Sequence, residues 1–162
     1  MLCEHYHNEL KTEAFATRKC LERIPESVYN FKPHEKSMEM GYLALLVADI
    51  PKWITLTIKD STIDLATYPR FPLSTTQALL DHFDKNIEEA KNVLTSVTED
   101  QFSKPFELKH DKQLLFSAPK LENIGSSINH WVHHRGQLTV YMRLNDIAVP
   151  SIYGPSADEQ RF

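Results

Sequence analysis

The stretch KLENIGSSINHWVHHRGQLTVYMRLND, residues 120–146, carries two side-chain stripes at helical spacing. At about 100° per residue, one stripe is apolar and the other is polar. The apolar stripe consists of Ile124, Ile128, Trp131, Leu138 and Met142. The polar stripe consists of Ser127, His130, His134, Gln137 and Tyr141. A helix with so little plainly solvated surface is expected at the centre of a domain or at a subunit contact.

Three earlier segments show the same periodicity. Helices are therefore predicted near 8–24, 38–59 and 74–96, in addition to the one at 120–146. Four amphipathic helices in one chain are typical of a four-helix bundle, whose sites are built from side chains on facing helices. The length of 162 residues is enough for a single domain, which we expect to span 1–162.

Proline and serine residues mark the predicted helix ends. Pro25 ends the first helix, and Ser37 and Ser74 are the predicted N-caps of the second and third. Pro51 lies inside the second segment, where it predicts either a kink or two helices that meet.

The segments between the helices are short. Residues 60–73 are predicted to form a loop. The stretch FELKHDKQLLF, residues 106–116, has strand-like residues around a polar HDK sequence, and it predicts a small irregular hairpin before the last helix. The expected fold is therefore all-α with one small insert.

Composition excludes several classes of protein. The net charge is −4 and the pI is about 6.0, without the basic patch of a nucleic-acid-binding protein. The longest apolar run, residues 43–48, is too short to span a bilayer. Cys3 and Cys20 have no CxxC or Cys/His spacing, which favours reduced thiols. The first residues, MLCEHYHNEL, have neither the charged region nor the apolar region of a signal peptide, so none is expected; we expect a cytoplasmic protein without nucleic-acid or membrane partners.

His130 and His134 are the candidate metal ligands. Residues four apart on a helix are neighbours, so the two imidazoles can reach one ion. Imidazole is a good ligand for zinc, nickel, copper and iron. His133 can replace His134 at three-residue spacing, and a pair of hydrogen-bonded histidines at the edge of the core explains the same spacing. Spacing alone leaves these alternatives open.

Two motifs resemble the DinB-like (YfiT-like) superfamily. The first is HWVHHRGQLTVYMRL, residues 130–144, followed by VPSIYGPSADE, residues 149–159. The second, PHEKSM followed by LALLVADIPKW at 33–38 and 43–53, is similar to the second helix of that superfamily. The resemblance covers most of the chain in the right order. It implies an up-down-down-up four-helix bundle that is often dimeric.

The resemblance also implies a metal site made of three histidines. The pair on the last helix corresponds to His130 and His134. The third histidine normally lies on the second helix, in a stretch like LAxHVAExPxW, where this chain has Leu46. A catalytic zinc centre usually has three protein ligands and one open position. Asp49, three residues after Leu46, is the candidate third ligand, and a solvated charge is the alternative.

Several other residues have two interpretations. Arg135 lies on the apolar stripe, so it either extends to the surface or forms a salt bridge or dimer contact. His82 is expected to be a solvated or edge histidine. Gln137 and Tyr141 are candidates for lining a pocket beside the histidines, together with Leu46. The YGPSADE tail is predicted to pack along the bundle with Tyr153 as its anchor, or to remain a surface tail.

Two functions follow as expectations. The resemblance implies a metal-dependent enzyme, either a hydrolase or a transferase of a low-molecular-weight thiol, with weakly bound zinc or nickel. The alternative is a catalytically inactive, dimeric bundle that has lost the metal and binds a small ligand or serves a stress-related role, as Leu46 suggests. DNA binding is disfavoured by the acidic charge. A homodimer is expected under both functions.

Overall fold

Four long helices contain the apolar periodicity that the sequence predicts. The computed structural model describes residues 2–160. The helices are α1 (Leu2–Leu21), α2 (Met40–Lys59), α3 (Thr76–Ser96) and α4 (Lys120–Leu144). Both α3 and α4 pack against α2 on one side and against α1 on the other. Their buried faces form one apolar core that includes Leu43, Phe83 and Trp131.

The helix ends differ from the predictions by a few residues. The first helix begins at Leu2 rather than near residue 8, because its first turn packs on the chain after α3: the Cys3 thiol donates to the Val97 carbonyl at 3.3 Å. The N-cap of α3 is Thr75, whose hydroxyl accepts from the Ala78 amide at 3.1 Å, so the prediction of Ser74 was wrong by one residue. The N-cap position of α2 is Glu39, not Ser37.

Helix α2 continues through Pro51 as a single helix. By length and hydropathy it also resembles a membrane-spanning helix, but 56% of it is buried inside the bundle. Its apolar residues therefore form the core between α3 and α4.

A three-stranded mixed sheet lies between the helices. Its strands are β1 (Thr62–Asp64), β2 (Pro105–His110) and β3 (Gln113–Pro119), in the order β1-β2-β3. The predicted hairpin is confirmed as β2 and β3, but β1 pairs parallel with β2. The prediction of an all-α chain was therefore incomplete, because part of the expected 60–73 loop is a strand.

The hairpin turn is held from β1. Asp111 and Lys112 have φ values of 47° and 68°, as both central residues of a tight two-residue hairpin turn require. The Asp64 carboxylate accepts hydrogen bonds from their amides at 3.1 and 3.4 Å. The hydrogen bond from the Ala66 amide, and to a smaller extent these two bonds, hold the pKa of Asp64 below its usual range.

Lys120 joins the sheet to the bundle at the start of α4. Its side chain is buried, and its ammonium donates to the Ile58 carbonyl in the last turn of α2 at 2.8 Å. A cation at this end of a helix is favourable, because the last carbonyls lack partners within the helix. This contact fixes the start of α4, and with it the position of the histidines, relative to α2.

Candidate metal and ligand site

The two histidines of α4 converge on one point. The Nε2 atoms of His130 and His134 are 2.7 Å apart, and the ring centroids are 4.5 Å apart. Both side chains are partly buried. The i, i+4 spacing therefore brings two ring nitrogens together, as a metal clip requires.

Gln137 fixes the tautomer of His134. The Oε1 atom of Gln137 lies 2.8 Å from Nδ1 of His134 and accepts a hydrogen bond from it. With its proton on Nδ1, a neutral His134 presents a lone pair at Nε2. That lone pair accepts from Nε2–H of His130, or it can bind a metal ion. A hydrogen-bond acceptor on the second ring nitrogen is the usual arrangement around a metal-binding histidine.

Burial favours the neutral form of His130. Its pKa is lowered, mainly by burial and further by the nearby His134 and His133. Neutral imidazole is the form that binds metal. The exposed His133 ring lies 5.1 Å from that of His134, measured between centroids, with 68° between the ring planes.

Asp49 is not a solvated charge, which corrects one alternative from the sequence. Its Oδ1 lies 2.8 Å from Nε2 of His82, and its Oδ2 accepts a short hydrogen bond from the Tyr68 hydroxyl. The Asp49 side chain is 14% exposed and that of His82 is 11% exposed. Because the carboxylate only accepts hydrogen bonds, Nε2 of His82 carries the proton. The pKa of Tyr68 is strongly raised, first by burial and then by its bond to Asp49.

His82 lies at the edge of the core but is not solvated. The Phe71 ring stacks on it, with 4.1 Å between centroids and 21° between planes. The Asn86 amide nitrogen donates to the Ala48 carbonyl at 3.0 Å and lies 3.0 Å from Nε2 of His82. The sequence missed this group, and the only available signal was that His82 lies beside the apolar stripe of its helix.

Trp53 lies between the two histidine groups. Its ring centroid is 5.3 Å from that of His130, and its Nε1 donates to the Tyr68 hydroxyl at 3.1 Å. The indole therefore contacts the His130–His134 pair on one side and the Asp49–Tyr68 pair on the other.

A cavity of about 600 Å³ lies beside these residues, between α2 and the segment 65–71. We call it the α2 cleft. Its wall includes Leu46, Asp49 and Trp53, and it is mostly apolar and aromatic. Its volume is in the range of small-molecule sites in proteins. Leu46, at the position where the resemblance places a histidine, is thus an apolar wall residue of this cleft.

The donor set is incomplete for a catalytic metal centre. In residues 2–160, no group of three or more histidine, cysteine or carboxylate side chains is arranged to hold a metal ion. His130 and His134 supply two ligands, while both oxygens of Asp49 already accept hydrogen bonds. A tetrahedral zinc ion at about 2.05 Å from each nitrogen needs them roughly 3.3 Å apart, so the pair would open slightly.

The other candidate residues have structural partners. The Tyr141 side chain is buried and its hydroxyl donates to the Met38 carbonyl at 3.2 Å. Arg135 forms a buried salt bridge with Glu13, so it does not extend to the surface.

The C-terminal tail packs on the bundle. The Tyr153 hydroxyl donates to Glu13 Oε2 at 2.9 Å and accepts from Arg135 at 2.7 Å. Further along, Asp158 pairs with Arg143, and Glu159 pairs with Arg23. The prediction of an anchoring role for Tyr153 agrees with these contacts.

Four helices, a small mixed sheet and a histidine pair on the last helix define a class of bundle proteins. The family model described as DinB family matches residues 1–161, and the chain belongs to this family. The uncharacterized protein YrdA of Bacillus subtilis is 27% identical over 167 residues, which cover 96% of this chain and 90% of that protein.

Solved structures show the same fold. The DinB-like protein YjoA of Bacillus subtilis superposes with a TM-score of 0.74 at 20% identity, covering 97% of this chain and 99% of that one. A DinB-like protein of Bacillus cereus gives a TM-score of 0.72 at 22% identity, covering 93% and 97%. At these identities the likeness extends to the fold alone.

Proposed function

We propose that this DinB-family protein binds a small apolar molecule in the α2 cleft without a three-ligand metal centre. The observation that carries the proposal is the environment of Leu46 and Asp49. Leu46 lines the cleft with an apolar side chain, and Asp49 is bound by His82 and Tyr68. The position that would complete a histidine triad thus contributes to an apolar wall instead.

The chemistry of the cleft supports an apolar occupant with one polar group. Tyr42, Leu45 and Leu65 add to the apolar wall. Tyr42 is 60% exposed and Leu65 is 42% exposed, so part of this wall faces solvent. Mostly apolar walls with a few fixed polar groups are typical of small-ligand sites. Here the Asp49–Tyr68 hydrogen bond is the fixed polar group, and the exposed Arg70 adds a charged group to the wall.

Fluorescence of the neutral dye N-phenyl-1-naphthylamine tests this proposal. We expect saturable binding to the wild type and at least about tenfold weaker binding to Leu46→Trp, because the larger side chain fills the cleft. Leu114→Trp is the matched control, since Leu114 is 52% exposed on the hairpin and is not part of the cleft wall. Equal binding by Leu46→Trp and the wild type would contradict the proposal.

A metal-dependent hydrolase or thiol transferase is the second candidate. It is supported by the 2.7 Å convergence of His130 and His134 and by the hydrogen bond from His134 to Gln137. A zinc or nickel ion held there would supply Lewis acidity. Metal content of protein purified without a histidine tag tests it. Stoichiometric metal that is lost in His130→Ala favours the enzyme, and metal content that is unchanged in that variant excludes the pair as its site.

The proposal also covers the oligomeric state of the protein and its location in the cell. We propose a homodimer, because α4 exposes Val140 and Leu144 at 57% and 56%. These side chains lie four residues apart and share one face of the helix. The helical fold is compatible with the cytoplasmic location expected from the sequence.

A further inference from the structure

A second cavity, of about 500 Å³, lies between α2, the segment 69–72 and α3. We call it the α3 cavity. It shares Pro69, Arg70 and Phe71 with the α2 cleft, so the segment 69–71 is a common wall. His130 and His134 do not line it. The α3 cavity is therefore separate from the candidate metal site.

The α3 cavity is basic although the chain as a whole is acidic. Lys52, Arg70 and Lys85 line it, and Asp81 is its one acidic lining residue. The net charge of the chain is −4, so this cluster reverses the overall sign locally. A concave wall of one charge sign raises the local concentration of small ions of the opposite sign. The occupant favoured by this charge is an anion.

The basic side chains remain available to a ligand. Lys52 lies over the Tyr68 ring, with its ammonium 5.3 Å from the ring centroid. Lys85 is 4.0 Å from Glu89 in an exposed i, i+4 pair, which contributes little. Asp81 accepts a hydrogen bond from Gln77 at 2.7 Å. Two lysines and one arginine can thus face an anion without breaking a buried salt bridge.

The rest of the lining is flat and apolar. Phe71 stacks on His82, and Pro69, Pro72 and Ala78 complete this part of the wall. His82 is held in place by Asp49 at its Nε2 atom, which leaves Nδ1 as the ring nitrogen not engaged by that carboxylate. A stacked aromatic pair beside prolines favours a planar ring over a fully hydrated inorganic ion.

We propose that the α3 cavity binds a small aromatic carboxylate, with its ring against Phe71 and the prolines and its carboxylate toward Lys52, Arg70 and Lys85. The negative group is the feature that this ligand shares with other anions. The aromatic wall selects in addition for a planar organic ring. This site is additional to the function proposed for the α2 cleft.

Benzoate titration followed by amide chemical shifts in NMR tests the proposal. We expect saturable shifts at residues 69–72 and 78–85. In Lys52→Gln/Lys85→Gln, the dissociation constant should rise by at least about tenfold, because two cations are lost. The matched control is Lys32→Gln/Lys36→Gln, which removes two lysines that do not line the cavity, one of them in an exposed pair with Glu39. The control should bind benzoate like the wild type.

Titrations with other ligands and variants distinguish this proposal from its alternatives. Benzyl alcohol, which has the ring without the charge, should not bind at millimolar concentration. Inorganic phosphate that binds as tightly as benzoate would overturn the aromatic part of the proposal. Equal loss in the control variant, or no saturable benzoate shifts, would overturn the site itself. Leu46→Trp should retain benzoate binding, so failure of the α2 cleft proposal and failure of this one give different results.

Discussion

Arg135 of α4 and Glu13 of α1 form a salt bridge of 2.6 Å in the core of the bundle. The Arg135 side chain is 2% exposed and that of Glu13 is 10% exposed. Arg135 also donates to the Glu13 carbonyl and to the Thr17 hydroxyl, each at 3.2 Å. Tyr153 of the tail binds both charged groups. Helix α4 thus places His130 against Trp53 of α2 and Arg135 against Glu13 of α1.

Removing the negative partner should destabilise the protein strongly. We expect Glu13→Gln to lower the free energy of unfolding by about 3–5 kcal/mol, because it leaves a buried cation without its counter-charge. Asp84→Asn is the matched control: it removes the acid of the Arg18–Asp84 pair, whose side chains are 43% and 47% exposed, and should cost about 0–1 kcal/mol. Chemical denaturation measures both. Equal costs would show that burial adds nothing to the Arg135–Glu13 pair.

The buried thiol of Cys20 should make stability decrease at high pH. Burial raises the pKa of Cys20 to about 11, and the side chain is 0% exposed. In the unfolded chain a cysteine loses its proton near pH 8.5, so the unfolded state binds fewer protons between these values. Stability from this group is complete below the unfolded pKa and is lost as pH rises toward 11.

Comparison with Cys20→Ala isolates this effect. Between pH 8 and pH 10.5, the wild type should lose about 2 kcal/mol more stability than the variant. All other ionisable groups are common to the two proteins, so their contributions cancel in the difference. Parallel pH profiles from urea denaturation would mean that Cys20 is ionised as easily in the folded state as in the unfolded one.

A histidine at position 46 should tighten zinc binding. The His130–His134 pair already converges, so Leu46→His adds only the ligand that the family resemblance predicts. We expect at least about tenfold higher zinc affinity in calorimetric titration. Binding should weaken as pH falls, because protonated imidazole does not bind metal; burial lowers the pKa of His130 and keeps this ligand neutral to more acidic pH.

Leu45→His is the control for that titration, since it places the same imidazole one residue, about 100°, around the helix. It should not tighten binding. Unchanged affinity in Leu46→His would show that position 46 does not face the pair. Nanomolar zinc binding by the wild type would require a third ligand, and Asp49→Asn would then be the first variant to measure.

The exposed face of α4 should mediate dimerisation. We expect sedimentation equilibrium to give a dimer at micromolar concentration, and Val140→Asp/Leu144→Asp to give a monomer because charges on an apolar contact are costly to bury. Leu114→Asp/Leu115→Asp on the hairpin, where both side chains are about half exposed, should remain dimeric. A monomeric wild type would reject the dimer, and a dimeric Val140→Asp/Leu144→Asp variant would place the contact elsewhere.

Much of the fold could be predicted from local patterns. Helices α2, α3 and α4 begin and end within about two residues of the predicted bounds. The hairpin was predicted from strand-like residues around HDK. Strand β1 was missed because three residues carry no detectable alternation, and it forms only by pairing with β2, more than 40 residues later. The early start of α1 was missed for the same reason, since its first turn is stabilised by contacts with distant residues.

The candidate site, like the fold, could be predicted from the sequence only in part. The sequence by itself determined that His130 and His134 share a helix face, because spacing along one helix fixes which side chains are neighbours. The family resemblance, also drawn from the sequence, placed Leu46 where a third histidine is expected. Only the tertiary structure decided that Asp49 binds His82, 33 residues away, and that Arg135 binds Glu13, 122 residues away along the chain. These pairs depend on how far each helix is rotated and shifted against its neighbours. That choice is made by the packing of the whole core, so no short stretch of sequence contains it.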